Sequence, residues 1–269
     1  QEPNQNFLSR HGKQISFDKF GNRNSRDNNI QNSELFFLGD SVTYGGSIVG
    51  NNETFAYLTS NKLKKKHLNI SSNGWGIPNI INFIDFHNLY KKNTTYILTC
   101  IIDCFTRNIR KSEQNFFFQK KSNTALIYFY KLIIFKINQL NNKQSKTSIG
   151  SDKKFEQKDN IKTINYTIDK LGLLNDKLKE LNSKLIFVYS PDLSYIKSKL
   201  ADNPYHENSI YRDEIFKKIN NLDIEFINII EYFDEKTINN FGKFFADNVH
   251  LTKDGHYLYS KILSNLIYD

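Results

Sequence analysis

Methionine is absent from this sequence, position 1 included, and cysteine, proline and tryptophan are scarce at two, four and one residues in 269. Without an initiating methionine the chain is read as lacking its natural start. A signal peptide or membrane anchor removed upstream and a simple late start both stay open, and with them the compartment. The two cysteines, Cys100 and Cys104, stand four apart with no second pair to complete a zinc site. Cys100 lies within an apolar run, which suits a buried, reduced thiol. His67, His87 and His206 are scattered at no metal-ligand spacing, so no metal is expected. No uncharged apolar run reaches the roughly 18 residues that a membrane-spanning helix needs. The longest candidate, 125–140, is broken by Lys131 and Lys136, and the chain as it stands is expected to be soluble.

What is plentiful is lysine, asparagine and large apolar side chains. The 37 basic and 28 acidic residues leave a net charge of +9. Such a surface attracts polyanions, acidic polysaccharides or anionic lipid headgroups, unless it is merely a solvated lysine-rich face. No RNA- or DNA-binding motif accompanies the charge, so nucleic acid is not an expected partner. The oligomeric state cannot be read. Hydrophobic residues make up 39% of the chain, much of it Phe, Tyr, Ile and Leu, enough for the core of one large α/β domain.

Residues 1–33 are polar and without period, and read as an irregular N-terminal arm ahead of a domain at 34–269. Strands are expected at 35–38, 67–72, 96–102, 184–190 and 224–230, and helices at 54–66, 77–90, 161–181, 209–220 and 251–268. Alternating strands and helices with continuously apolar strands predict a doubly wound parallel sheet in a three-layer α/β/α sandwich. Residues 104–160 differ in character: an aromatic run at 116–118, an amphipathic stretch at 125–140, then a polar linker. They read as an insertion or lid, either touching an acyl group or a membrane surface, or packing on their own domain.

Two motifs carry chemistry. Gly39-Asp40-Ser41 ends the first expected central strand. A hydroxyl there points into the crevice where open α/β sheets place their ligands, and the N–H groups of the following turn can face a developing negative charge. Asp247-Asn248-Val249-His250-Leu251 stands just ahead of the last helix, for which Thr252 is the expected cap. An Asp three residues before a His can accept the Nδ1–H and leave Nε2 to take a serine proton. His256, within that helix, reads as structural.

Together, Phe37-Leu38-Gly39-Asp40-Ser41-Val42-Thr43-Tyr44-Gly45 at one end and Asp247-Asn248-Val249-His250-Leu251-Thr252 with Gly255 at the other resemble the SGNH (GDSL-type) hydrolase family. The pattern differs from the Gly-x-Ser-x-Gly elbow, since position 43 is Thr. The resemblance covers most of the chain from Leu35 onward and implies a flavodoxin-like sheet. Its implied roles are Ser41 as nucleophile, His250 as general base and then acid, and Asp247 as the group that orients His250. The implied oxyanion donors are the Ser41 N–H with Gly76 or Asn79 from the Gly74-Trp75-Gly76-Ile77-Pro78-Asn79 loop. Asp40, Tyr44, Trp75 and Asp103 are expected to line the substrate site, with Trp75 and Tyr44 placed to stack on a sugar.

One family donor is missing: Ile102 stands where the third block normally carries Asn, and Asn79 and Arg107 are the candidate substitutes. The expected activity is O-acyl ester hydrolysis on an acetylated carbohydrate or similar polar ester, without a cofactor. An O-acetyltransferase using the same triad is the alternative. From another class comes a degenerate domain that binds a glycan or partner without turnover.

Overall fold

The computed structural model describes residues 3–9, 11–24, 29–107, 157–200 and 209–267. The insertion or lid expected at 104–160 falls almost entirely outside the described residues, as does His206.

Five parallel strands form the central sheet: β3 (Leu35–Gly39), β4 (His67–Ser71), β5 (Thr95–Cys100), β6 (Lys184–Tyr189) and β7 (Glu225–Asn228). Their order is β4-β3-β5-β6-β7. β3 and β4 are buried at every position. For β3 that is the outcome expected of an apolar run, since each fully buried Leu or Phe contributes about 1.5–3 kcal/mol. β4 alternates, and its buried His67, Asn69 and Ser71 are hydrogen-bonded instead.

Helices cover both faces. On one, α2 (Phe55–Lys62) packs on the C-terminal helix α9 (Lys253–Leu266). On the other, α3 (Ile77–Phe86) packs on α4 (Gln157–Glu180), and α4 on α6 (Ser209–Asn220). The doubly wound three-layer architecture is therefore present. Thr252 caps α9 by accepting from the Gly255 N–H at 3.1 Å. His256 sits at the α2–α9 contact, where its Nδ1 accepts from the Phe55 N–H at 3.1 Å and its ring stacks on Phe55. Burial pushes its pKa down to about 3, so it packs as a neutral ring. Among the described residues no helix is long and apolar enough to cross a membrane, and no cluster of His, Cys, Asp and Glu could hold a metal ion.

The arm departs from its reading as irregular. β1 (Asn6–Leu8) and β2 (Gln14–Ser16) form an antiparallel hairpin, and Ile15 and Phe17 bury themselves against Tyr44. Asp18, Arg23 and Asn24 are buried as well. Arg23 donates to the carbonyls of Tyr44 (2.6 Å), Gly46 (2.7 Å) and Val49, all in the segment after Ser41. The polar composition of the arm serves buried hydrogen bonds with partners far along the chain, which leave no local periodicity.

Glu53 ties this arm to the last helix. It accepts from the Gly50 N–H at 2.9 Å and pairs with Lys13 at 2.9 Å and Lys253 at 3.1 Å. Burial alone would raise its pKa, but the Gly50 N–H and the two ammonium groups pull it from 4.5 to about 2. A depressed folded-state pKa means that the stabilisation is complete above the ordinary value and is lost as pH falls through the folded one. We therefore expect Glu53→Gln to unfold at a lower temperature than wild type at pH 6. The gap should narrow between about pH 4.5 and 2 in thermal melts followed by circular dichroism. A gap independent of pH would show that the carboxylate charge is not what Glu53 contributes.

Candidate active site

Ser41 owes its position to a close approach. β3 ends at Gly39, where a Cβ atom would stand 2.1 Å from Thr43 Oγ1 and 2.5 Å from the Thr99 carbonyl. Only glycine lets the chain turn so sharply against β5. Asp40 then caps the short helix α1 (Ser41–Tyr44), its Oδ1 accepting from the Val42 N–H at 3.0 Å. The strand order reverses between β4-β3 and β5-β6-β7, so Ser41 stands at the carboxyl edge of the sheet, at its topological switch point.

His250 arrives from the far end of the chain on a pinched loop. Phe245 bridges Leu251, the Ala246 N–H donates to the His250 carbonyl at 2.7 Å, and the Thr252 N–H donates to the Phe244 carbonyl at 3.0 Å. The Leu193 N–H, at the start of α5 (Leu193–Leu200) beyond β6, donates to the Asn248 carbonyl at 2.8 Å and fixes the loop to the sheet edge. Asp247 Oδ1 accepts from the N–H groups of Val249 (2.9 Å) and His250 (2.8 Å), while its Oδ2 meets His250 Nδ1 at 2.7 Å. Partial burial works to raise the Asp247 pKa, but those two N–H groups and the imidazole outweigh it and hold the carboxyl below its ordinary range.

His250 Nε2 lies 2.9 Å from Ser41 Oγ. The relay of carboxylate, imidazole and hydroxyl is thus continuous. It stands at the rim, with the Asp247 side chain 54% and the His250 side chain 31% exposed.

The other expected site residues divide. Gly76 N–H donates to Asn79 Oδ1 at 3.1 Å, so that N–H is engaged within its own turn. The Asn79 side-chain amide nitrogen donates to none of the described residues, and Asn79 is partly exposed. Ile102 is buried in the core. Trp75 is half-buried against Phe83, and its carbonyl accepts from Arg107. Asp103 is exposed beside Arg107.

Two residues do not line the site. Tyr44 is 6% exposed, packed with Ile15 and Phe17 under the arm, so its ring is closed to a sugar. Asp40 is 0% exposed, with its carboxylate taken up by Val42, Cys104 and Arg107 rather than turned to a substrate. Sequence alone puts both in the pocket because they flank Ser41. Tyr44 closes the single helical turn that Ser41 opens and packs under the arm, while Asp40 precedes that turn as its cap. The Asp40–Arg107 ion pair has no signal at the level of spacing, as 67 residues separate its members.

No family model matches the sequence, and a search of curated proteins finds no match. Solved structures with a similar course of chain include a G-D-S-L family lipolytic protein from Desulfitobacterium hafniense DCB-2, with TM-score 0.47, 11% identity, and cover of 87% of this chain and 99% of that one. A lipase/acylhydrolase from Enterococcus faecalis gives 0.46 and 10%, covering 88% and 95%. An acetylxylan esterase from Geobacillus stearothermophilus, in a catalytic mutant form, gives 0.48 and 11%, covering 88% and 93%. The chemistry is read from the side chains of this chain.

The turn at Gly39 gives a direct check. Gly39→Ala should cost roughly 1–3 kcal/mol by overpacking against Thr43 and Thr99 and displace Ser41. We expect a lower urea midpoint and weaker labelling by a serine-reactive probe; unchanged midpoint and labelling would contradict the packing described.

Proposed function

We propose that this chain is a serine ester hydrolase of the SGNH type, acting through an acyl-enzyme on an acetylated carbohydrate or similar polar ester. The observation that carries the reading is the unbroken relay from Asp247 through His250 to Ser41, at 2.7 and 2.9 Å. Side chains from opposite ends of the chain have no packing reason to align at a half-open rim.

The chemistry follows from the geometry. Ser41 Oγ attacks the ester carbonyl carbon while its proton passes to His250 Nε2, giving a tetrahedral oxyanion and an imidazolium held by Asp247. His250 then protonates the departing alkoxide, the carbon–oxygen bond breaks, and the acyl group stays on Ser41. Water repeats the cycle, losing a proton to His250 as it attacks; the acid leaves and Ser41 regains its proton. The Ser41 N–H and, from the turn that carries Gly76, the Asn79 side-chain amide are the donors proposed for the oxyanion.

The choice of a carbohydrate-borne ester is supported by the openness of the relay. Exposed Asp247 and His250 suit an ester carried on a bulky polar scaffold better than a chain that must be drawn into a channel. A sugar hydroxyl in place of water would make the same acyl-enzyme a transferase.

Ser41→Ala and His250→Ala are each expected to abolish p-nitrophenyl acetate hydrolysis while keeping the wild-type circular dichroism spectrum. Asp247→Asn should lower kcat by up to about 10⁴ through the wrong imidazole tautomer. Full activity in Ser41→Ala would end the reading, and no serine-probe labelling of wild type would favour a non-catalytic binder. For the substrate, mass spectrometry of acetylated glycans incubated with the protein should show acetyl groups removed; acetyl groups gained would make it a transferase.

A further inference from the structure

Beside Ser41 lies a charge that the hydrolytic reading does not use and that works against it. The Asp40 carboxylate is fully buried, one residue before the nucleophile. An oxyanion at the Ser41 N–H would form in the field of that carboxylate, in a setting that screens charge far less than water does. One cation answers it. Arg107 Nη1 donates to Asp40 Oδ2 at 3.0 Å and to the Trp75 carbonyl at 3.1 Å, and Nη2 stands 3.8 Å from Asp103 Oδ2. The Cys104 thiol donates to the same Asp40 oxygen at 3.5 Å.

The backbone of Arg107 is equally committed. A Cβ on Gly76 would meet the Arg107 carbonyl at 2.6 Å and Arg107 Cβ at 2.9 Å, so the two chain segments touch there. One side chain thus joins the turn after β3, which carries Ser41, the turn after β4, which carries Trp75 and Gly76, and the turn after β5, which carries Asp103. A guanidinium fork can serve acceptors on separate turns at once; an ammonium is a point charge and does not span them.

We propose that Arg107 is a positioning residue for the reaction: it cancels the buried Asp40 carboxylate and staples the three turns around Ser41, in a site where Ile102 supplies no donor. The inference rests on the ester-hydrolase reading. Arg107 acts through Asp40 and the turns, not by contact with the acyl oxygen.

Its test is a charge-swap cycle on p-nitrophenyl acetate, with kcat and KM measured separately and folding followed by circular dichroism. Arg107→Met leaves Asp40 buried without a counter-charge, and should lower kcat by about 10²–10³, the scale of a lost oxyanion donor, with KM moved less than threefold. Asp40→Asn removes the offending charge and keeps a capping side chain for Val42. Adding it to Arg107→Met should therefore recover tenfold or more in kcat. Arg107→Lys should fall below wild type, and it is the variant read against the double mutant if Arg107→Met does not fold.

Wild-type kcat in Arg107→Met, or in Arg107→Lys where that variant stands in, would overturn the proposal. A double variant no faster than Arg107→Met, or than Arg107→Lys in its place, would overturn it too, because the cation would then act on the acyl oxygen itself. Failure of the underlying reading looks different. There, wild type does not hydrolyse the ester, or Ser41→Ala retains activity, and the role of Arg107 falls with it. With an active wild type and an inactive Ser41→Ala, the cycle judges Arg107 alone.

Discussion

One hydrogen bond, between Ser41 Oγ and His250 Nε2, joins residues 209 positions apart and gives the rest of the architecture its meaning. Neither motif can act alone. A parallel sheet brings them together because each strand runs the same way, so the turn after β3 and the loop ahead of α9 open on one edge. The strand order places the first turn at the switch point, and the bridge between Phe245 and Leu251 holds the second. Loop-closure entropy grows only slowly with chain length, so intervening segments can vary widely without disturbing the contact.

Charge around that contact is not what the composition suggests. The chain carries a net charge of +9. Yet the described groups beside Ser41 include the carboxylates of Asp40, Asp103 and Asp247 against the single guanidinium of Arg107. Among the described residues no lysine pairs with these carboxylates. That places weight on how each nearby carboxylate is neutralised. Asp247 is held by N–H groups and an imidazole, Asp40 by a helix turn, a thiol and a cation.

The strands are legible in the sequence because buried parallel strands are apolar without interruption, as at Leu35-Phe36-Phe37-Leu38. Ser41 and His250 are legible because the residues that mark them, Gly39 for the serine and Asp247 for the histidine, lie within three positions of each. What escapes is built from distant partners. The guanidinium of Arg23 binds carbonyls more than twenty residues away, and Arg107 binds Asp40 across two strands. Tyr44 is misplaced for the same reason. Its neighbours in sequence are site residues, but its neighbours in space are Ile15 and Phe17. The short helices α7 (Glu235–Asn239) and α8 (Phe241–Phe244) bury too few residues to print a period.

The clasp of Arg23 on the carbonyls of Tyr44, Gly46 and Val49 redraws where this folding unit begins. A fragment trimmed to start at the first sheet strand would keep its core layers, but three backbone acceptors behind the nucleophile would lose their donor. The opening residues belong to the working domain as an integral brace, and truncation series should be designed from the hairpin rather than from β3.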